Sequence, residues 1–324
     1  MCTAISFLTN EHYFGRNLDY EISYNQEILI TPRNFPLIFR QHPQINKHYA
    51  IIGMGIYENG YPLYFDATNE KGLSVAGLNF KGNAVYNHIS DGFDNITSFE
   101  FIPWILSQCG DISEVKILLE KINITNESFS EKYAPSQLHW MISDSKNSLT
   151  VESTTEGFKI YDNPVGVLTN NPGFKMQMFN LNNYMNLSAY PIKNSFSDAI
   201  DFVKYSRGMG AIGLPGDLSS MSRFVKAVFT KANSVCEKDE FSSVHQFFHI
   251  LESVFQQRGC TRLDGGKYEY TQYTSCCNTD RCIYYYKTYS NSQISAVNLK
   301  NENLDADDII CYSLITTPNI NYQN

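Results

Sequence analysis

The stretch "MCTAISF", residues 1–7, decides how this chain is read, because it places a thiol directly behind the initiator methionine. A start methionine followed by a small residue is normally removed. Loss of Met1 would make Cys2 the N-terminus, with a thiol and a free α-amino group on one residue. An enzyme that cleaves amides needs a nucleophile, a base to take its proton and donors for the oxyanion. An N-terminal cysteine supplies the first two: the thiol has an ordinary pKa of roughly 8.5 and the amine of roughly 7.7–8.0, so near neutral pH the amine is a usable base. Before Met1 is lost the same nitrogen is a peptide amide and cannot serve. Read alone, Cys2 is also an ordinary small residue opening a strand.

Outward from that stretch, residues 2–80 read as successive strands: "CTAISFL", "HYFGRN", "QEILITP", "HYAIIGM", "PLYFDA" and "GLSVAGLNF", with turns such as "TNEH" and "ENGYP" between several of them. Two helices follow, "SFEFIPWILSQC" and "ISEVKILLEKI", the second with Asp111 as N-cap and Glu114 three residues on. Strands return at "LHWMISD", "SLTVEST", "FKIYD" and "VGVLTN". Helical patterns then run through "SMSRFVKAVFTKA" and "SSVHQFFHILESVFQQ", where Val244, Phe247, Phe248, Leu251, Val254 and Phe255 share one face. "YTQYTSC", "CIYYYKTY", "QISAVNL" and "IICYSLI" read as closing strands. Runs of strands alternating with runs of helices favour an α+β architecture of antiparallel sheets packed face to face with helices outside.

With 324 residues, 43% hydrophobic and 18% charged, the chain can bury a large core, and no linker or repeat divides it, so one domain over 1–324 is expected. A net charge of −8 and the absence of a Lys/Arg stripe exclude broad binding to nucleic acid or anionic membranes. An anionic substrate would have to be met by a few placed cations. The first fifteen residues carry no Lys or Arg and no apolar block, and no run approaches the ~18 apolar residues of a membrane span. A cytoplasmic protein is expected. Eight scattered cysteines suit a reducing compartment, and Cys276, Cys277 and Cys282 fit no common zinc spacing, so neither a metal nor a cofactor is expected.

Several polar residues bear on the opening thiol. Arg16 and Asp19 in "FGRNLDYE" end a strand that can pair with the first; an arginine lowers the pKa of a nearby thiol and a carboxylate can hold an N-terminal ammonium, although an ordinary turn ion pair accounts for them equally. Asn79 and Asn170 end apolar strands, where side-chain amides are suitable oxyanion donors but are also common turn formers. Arg223, after "GLPGDLSSMS", reads in isolation as a solvated helix residue.

Taken together and in order, "MCTAISF", "FGRNLD", "NEKGLSVAGLNF", "LHWMISD", "VGVLTNNP", "GLPGDLSSMSRF" and "TQYTSC" resemble the choloylglycine hydrolase family, from residue 1 to about residue 300. The resemblance implies an N-terminal nucleophile (Ntn) hydrolase, a four-layer αββα sandwich. It implies Cys2 as nucleophile with its own amine as base, Asp19 on the amine, Arg16 on the thiol side, Asn170 and the backbone N–H at Asn79 as oxyanion donors, and Arg223 completing the cluster. The implied reaction is hydrolysis of a glycine- or taurine-conjugated bile salt through a thioester. Leu18, Tyr57, Phe65, Phe129, Tyr133 and Leu138 are the implied lining of the sterol pocket, and a homotetramer built by the region around "MNLSAYPIKNSFSDAI" is the inherited assembly. Penicillin V acylase and N-acyl-homoserine-lactone amidase are the alternatives within the family; an inactive homologue that only binds an acyl ligand is the alternative outside enzymology. A papain-like protease would need its cysteine at a helix start, and "MCTAISF" reads as a strand.

Overall fold

A computed structural model describes residues 1–324. Its first half is β1 (Cys2–Leu8), β2 (His12–Tyr20), β3 (Glu27–Thr31), β4 (Ile51–Glu58), β5 (Tyr61–Asn69), β6 (Ser74–Asn79) and β7 (Asp94–Thr97), then helices α1 (Phe101–Gln108) and α2 (Ile112–Leu118). Next come β8 (Ile122–Thr125), β9 (Leu138–Ser143), β10 (Ser148–Thr154), β11 (Gly157–Asp162) and β12 (Val167–Leu168). Helices α3 (Phe174–Leu181), α4 (Ser220–Asn233) and α5 (Glu240–Glu252) precede β13 (Thr261–Arg262), β14 (Tyr268–Asn278), β15 (Ile283–Thr288), β16 (Ser295–Asn298) and β17 (Ile310–Ser313).

The strands form two large antiparallel sheets. In one the order is β12-β1-β2-β14-β15-β16, with β13 on the end of β14; in the other it is β11-β10-β9-β6-β5-β4-β3-β17. Successive side chains of a strand point to opposite faces, and β1 uses both. The Ser6 hydroxyl meets Ser143 of the facing sheet, whereas the Thr3 hydroxyl receives Arg223 from α4. Cys2 is on the same face as Ser6, between the sheets.

Helices α1 and α2 cover the outer face of the second sheet, packing Phe101, Trp104, Ile105 and Val115 on Val75, Trp140 and Ile142. Helices α4 and α5 cover the first sheet with Phe224, Phe247, Phe248 and Leu251. The result is the expected α+β sandwich in four layers, αββα.

Local sequence explains the joints. The Asp111 carboxylate accepts the N–H of Glu114, and Glu114 in turn accepts the N–H of Gly110, which starts α2. At Gly15 a Cβ would collide with the Ser275 carbonyl of β14, so only glycine lets β2 and β14 approach this closely. Helix α5 stops at Glu252, short of the apolar face that extends to Phe255 in the sequence. Gln256 instead exchanges bonds with Thr271 of β14, its N–H going to the threonine hydroxyl at 2.9 Å and its carbonyl receiving the Thr271 N–H at 3.1 Å. Helix α3 and the short parallel pair β7–β8 were not expected from the sequence.

Candidate active site

The β1–β2 register puts Cys2 opposite Leu18 and Ala4 opposite Arg16, and β2 carries Asp19 to the pairing position of Thr271 on β14. Antiparallel pairing alone therefore gathers Cys2, Arg16 and Asp19 at one end of the sheet. Cys2 is 3% exposed, and its backbone N–H donates to Asn170 Oδ1 at 2.7 Å. Ahead of it stands Met1. Its ammonium donates to the Asp19 carbonyl at 2.6 Å and pairs with Glu269 Oε1 at 2.5 Å.

Arg223, read in isolation as a solvated residue, is 1% exposed. Ser219 caps α4 and the guanidinium turns inward, Nε donating to the Leu218 carbonyl at 3.0 Å. Nη1 donates to the Cys2 carbonyl at 2.5 Å and to Thr3 Oγ1 at 2.6 Å, and Nη2 donates to Asn170 Oδ1 at 2.8 Å. Asp19 Oδ2 is 3.9 Å from Nη1. The Asp19 carboxylate accepts the Thr271 hydroxyl at 2.6 Å, and burial pushes its pKa up against the pull of Arg223, the N-terminus, Thr271 and Arg16. Burial likewise lowers the pKa of Arg223, opposed by Asp19, Cys2 and Glu269. Asp19 thus meets the Met1 nitrogen through its backbone carbonyl, the Cys2 nitrogen going to Asn170 and not, as expected, to Asp19, while its carboxylate balances the arginine behind them.

Arg16 lies on the thiol side. Nη1 donates to the Phe65 carbonyl at 3.1 Å and to the Gly77 carbonyl, and Nη2 has no partner although it is buried. Burial disfavours its charge, but Cys2, Tyr273, Asp66 and Asp19 more than compensate and raise its pKa. Asp66 is itself held by three hydroxyls, those of Tyr273 at 2.6 Å, Tyr284 at 2.5 Å and Ser275 at 3.0 Å. Burial pushes its pKa up, against Arg16 and those hydrogen bonds. An unspent guanidinium donor beside a thiol is an arrangement that stabilises a thiolate.

Asn170 is the junction of the site. Its Oδ1 accepts from Cys2 and Arg223, which fixes the amide orientation, and Nδ2 donates one hydrogen to the Asn79 carbonyl at 2.7 Å. The second Nδ2 hydrogen is uncommitted. Behind it Ser220 Oγ accepts the Asn170 N–H at 2.8 Å, and Gln177 Nε2 donates to Thr169 Oγ1, the Asn170 carbonyl and Ser220 Oγ, each at 3.2 Å. His139 bonds the Thr169 carbonyl at 2.8 Å and Glu152 at 3.2 Å, stacked on Phe80 at 4.2 Å. Asn79 is half-buried at the end of β6, its Oδ1 accepting the Lys81 N–H at 3.2 Å.

A cavity of about 460 Å³ opens onto Cys2 and Arg16. Leu18, Phe65, Phe129, Tyr133 and Leu138 line it, together with Tyr20, Tyr24, Ile56 and Phe99, which the sequence reading did not single out. Tyr57 does not line it. Strand alternation turns Ile56 inward and leaves Tyr57 44% exposed, opposite Pro62 near the hairpin tip. Thr271, Tyr273 and Ser275 lie within the "TQYTSC" stretch, but nothing in the sequence singles them out individually. Cys276 and Cys277 are buried and free, with burial raising both thiols. No helix is long and apolar enough to cross a membrane.

The chemistry available is that of a buried N-terminal thiol with an arginine, an aligned amide donor and an apolar cavity in front. Known proteins resemble this chain through nearly their whole length. The chain is 56% identical over 314 residues, 97% of each chain, to a bile salt hydrolase/transferase of Lactiplantibacillus plantarum. It is 38% identical over 329 residues, the full length of both, to a bile salt hydrolase/transferase of Clostridium perfringens. Crystal structures of variants of the conjugated bile acid hydrolase from Clostridium perfringens superimpose with a TM-score of 0.92 at 38% identity over 100% of each chain. Penicillin V acylase from Agrobacterium tumefaciens shares the fold, with a TM-score of 0.77 at 17% identity over 97% of this chain and 92% of its own. The family model of linear amide C-N hydrolases matches residues 2–312, and on these grounds the chain belongs to the choloylglycine hydrolase family.

Proposed function

We propose that the protein is a bile salt hydrolase that cleaves the amide of glycine- and taurine-conjugated bile salts, with Cys2 as nucleophile once Met1 is gone. The observation that carries this reading is the position of Cys2 on the wall of an aromatic and aliphatic cavity, beside Arg16 and Asn79. A bulky apolar acyl group fills such a cavity and presents its amide carbonyl to the sulfur. Removal of Met1 converts the Cys2 nitrogen into an amine, and that amine takes the thiol proton. The sulfur then attacks the carbonyl carbon. The oxyanion is received by the free Nδ2 hydrogen of Asn170 and the backbone N–H at Asn79. As the C–N bond breaks, the Cys2 ammonium returns its proton to the leaving nitrogen and glycine or taurine departs, leaving a thioester. Water, deprotonated by the same amine, attacks the thioester and releases the bile acid. Arg16 favours the thiolate, and Arg223 with Asp19 holds the N-terminal turn of chain in place.

The same thioester passed to an amine instead of water would remake an amide, and the names of the two relatives at 56% and 38% identity include transferase as well as hydrolase. The cytoplasm is the proposed compartment. A homotetramer is the proposed assembly, supported by the exposed apolar residues between Met185 and Ile212.

Incubation of purified protein with glycocholate, taurocholate and penicillin V, with release of amino acid or phenoxyacetate measured, tests the reading. Rapid release of glycine or taurine is expected. Comparable or faster turnover of penicillin V overturns the bile-salt assignment.

A further inference from the structure

The chain carries an excess of eight negative charges, which repels an anionic substrate unless a cation is placed for it. Glycine and taurine conjugates end in a carboxylate or a sulfonate a few bonds beyond the scissile nitrogen. Among the residues lining the cavity there is no carboxylate, and there are two cations, Arg16 and Lys81. Arg16 is buried on the thiol side, with Nη1 spent on two backbone carbonyls. Lys81 is exposed, and its ammonium is engaged in none of the ion pairs or hydrogen bonds of the structure.

The backbone around Lys81 is pinned. Its N–H donates to Asn79 Oδ1 at 3.2 Å, its carbonyl accepts Asn171 Nδ2 at 2.8 Å, and the next N–H, of Gly82, donates to Gln137 Oε1 at 2.7 Å. Those bonds fix Lys81 two residues beyond Asn79, whose carbonyl holds Asn170. The side chain therefore springs from a fixed base in the cavity lining, two residues from Asn79.

We propose that Lys81 is a specificity-determining residue that binds the carboxylate or sulfonate of the leaving amino acid, an inference that rests on the bile-salt reading above. A lysine is a compact point charge on a flexible stem and, unlike the planar fork of arginine, imposes no bidentate geometry. It therefore accepts a planar carboxylate and a tetrahedral sulfonate alike. The contact is remote from the bonds that change, so it stabilises ground and transition states equally and acts on KM rather than kcat.

The test compares wild type, Lys81→Met, Lys81→Arg and Lys132→Met on glycocholate, taurocholate and the uncharged glycinamide conjugate of cholic acid. Lys132 is a control cation: it lies over the Tyr133 ring at 4.7 Å but does not line the cavity. Lys81→Met raises KM for both anionic conjugates by about three- to fivefold, the range of an exposed ion pair, with kcat nearly unchanged. It also flattens the rise of KM with salt. The uncharged conjugate is unaffected, Lys81→Arg restores most of the affinity, and Lys132→Met changes nothing. An equal rise in KM for the uncharged conjugate, no rise for the anionic ones, or the same effect from Lys132→Met overturns the assignment. Wild-type protein that releases no amino acid from any conjugate defeats the bile-salt reading itself, before any variant is compared.

Discussion

At the scale of single residues, the site turns on the two ends of one amide. Asn170 accepts through Oδ1 from the Cys2 nitrogen and Arg223, and donates through Nδ2 to Asn79 with one hydrogen to spare. Asn170→Asp keeps the acceptor and removes both donors, so the N-terminus stays in place while the oxyanion loses a partner. The expected result is a folded protein with kcat lower by roughly 100- to 1000-fold and KM little altered, read by steady-state kinetics on glycocholate. Cys2→Ser leaves the geometry intact but offers a hydroxyl far harder to deprotonate than a thiol. Its kcat should fall at least about a thousandfold, and a variant retaining full activity would remove Cys2 from the mechanism. Arg223 shows why residue-level reading needs its fold. A helix residue after a serine-rich cap looks solvated in the sequence, and the carbonyls of Cys2 and Leu218, the oxygens of Thr3 and Asn170 and the Asp19 carboxylate account for its burial.

Among elements, β12, α3 and α4 meet around Asn170. Gln177 of α3 is the stitch, donating to Thr169, Asn170 and Ser220. Gln177→Ala frees the end of β12 without touching substrate. We expect kcat to drop about tenfold while far-UV circular dichroism and KM hold, and a rise in KM alone would argue against alignment as its role. This helix was invisible in the sequence for a physical reason. It buries only Phe174 and Gln177 and leaves Met176 and Phe179 exposed, so its inward face is partly polar and no apolar period marks it. The opposite holds for α2, whose Asp111 and Glu114 cap is local and was legible, and for β1 and β2, whose pairing follows from a short turn. Strands β7 and β8 have four residues each and pair in parallel across the intervening helices, which no local pattern announces.

For the whole molecule, the candidate site residues were legible only as an ordered set of motifs, because their support comes from distant chain. Asp66 and the tyrosine that holds it are 207 residues apart, and no spacing rule links them. Global stability carries a signature of its own in His12. Burial lowers its pKa from 6.5 to about 4, and its ring lies between Ser6 and Thr279. Between those two pH values the unfolded chain binds the proton more readily than the folded one. The contribution of His12 is therefore complete above pH 6.5 and falls away as the pH drops toward 4, by about 3 kcal/mol. The difference between urea midpoints at pH 7 and pH 4.5 should be smaller in His12→Gln than in wild type. Assembly is tested on the region 185–212, where Phe196 is 81% and Val203 is 86% exposed. Light scattering should give the mass of four chains, and Phe196→Asp with Val203→Asp should give smaller species.

The clasp on Met1 has a consequence for how the protein is made. With its ammonium between the Asp19 carbonyl and Glu269, and β1 already paired from Cys2 onward, the folded chain offers an aminopeptidase no free extended end. Excision therefore belongs to the interval when the first residues have left the ribosome and β14, the last partner to arrive, is still unsynthesised. A tag or leader at the amino end that leaves the Cys2 nitrogen as a peptide amide is expected to abolish turnover. A batch only partly freed of methionine should show a specific activity in proportion to its fraction lacking Met1.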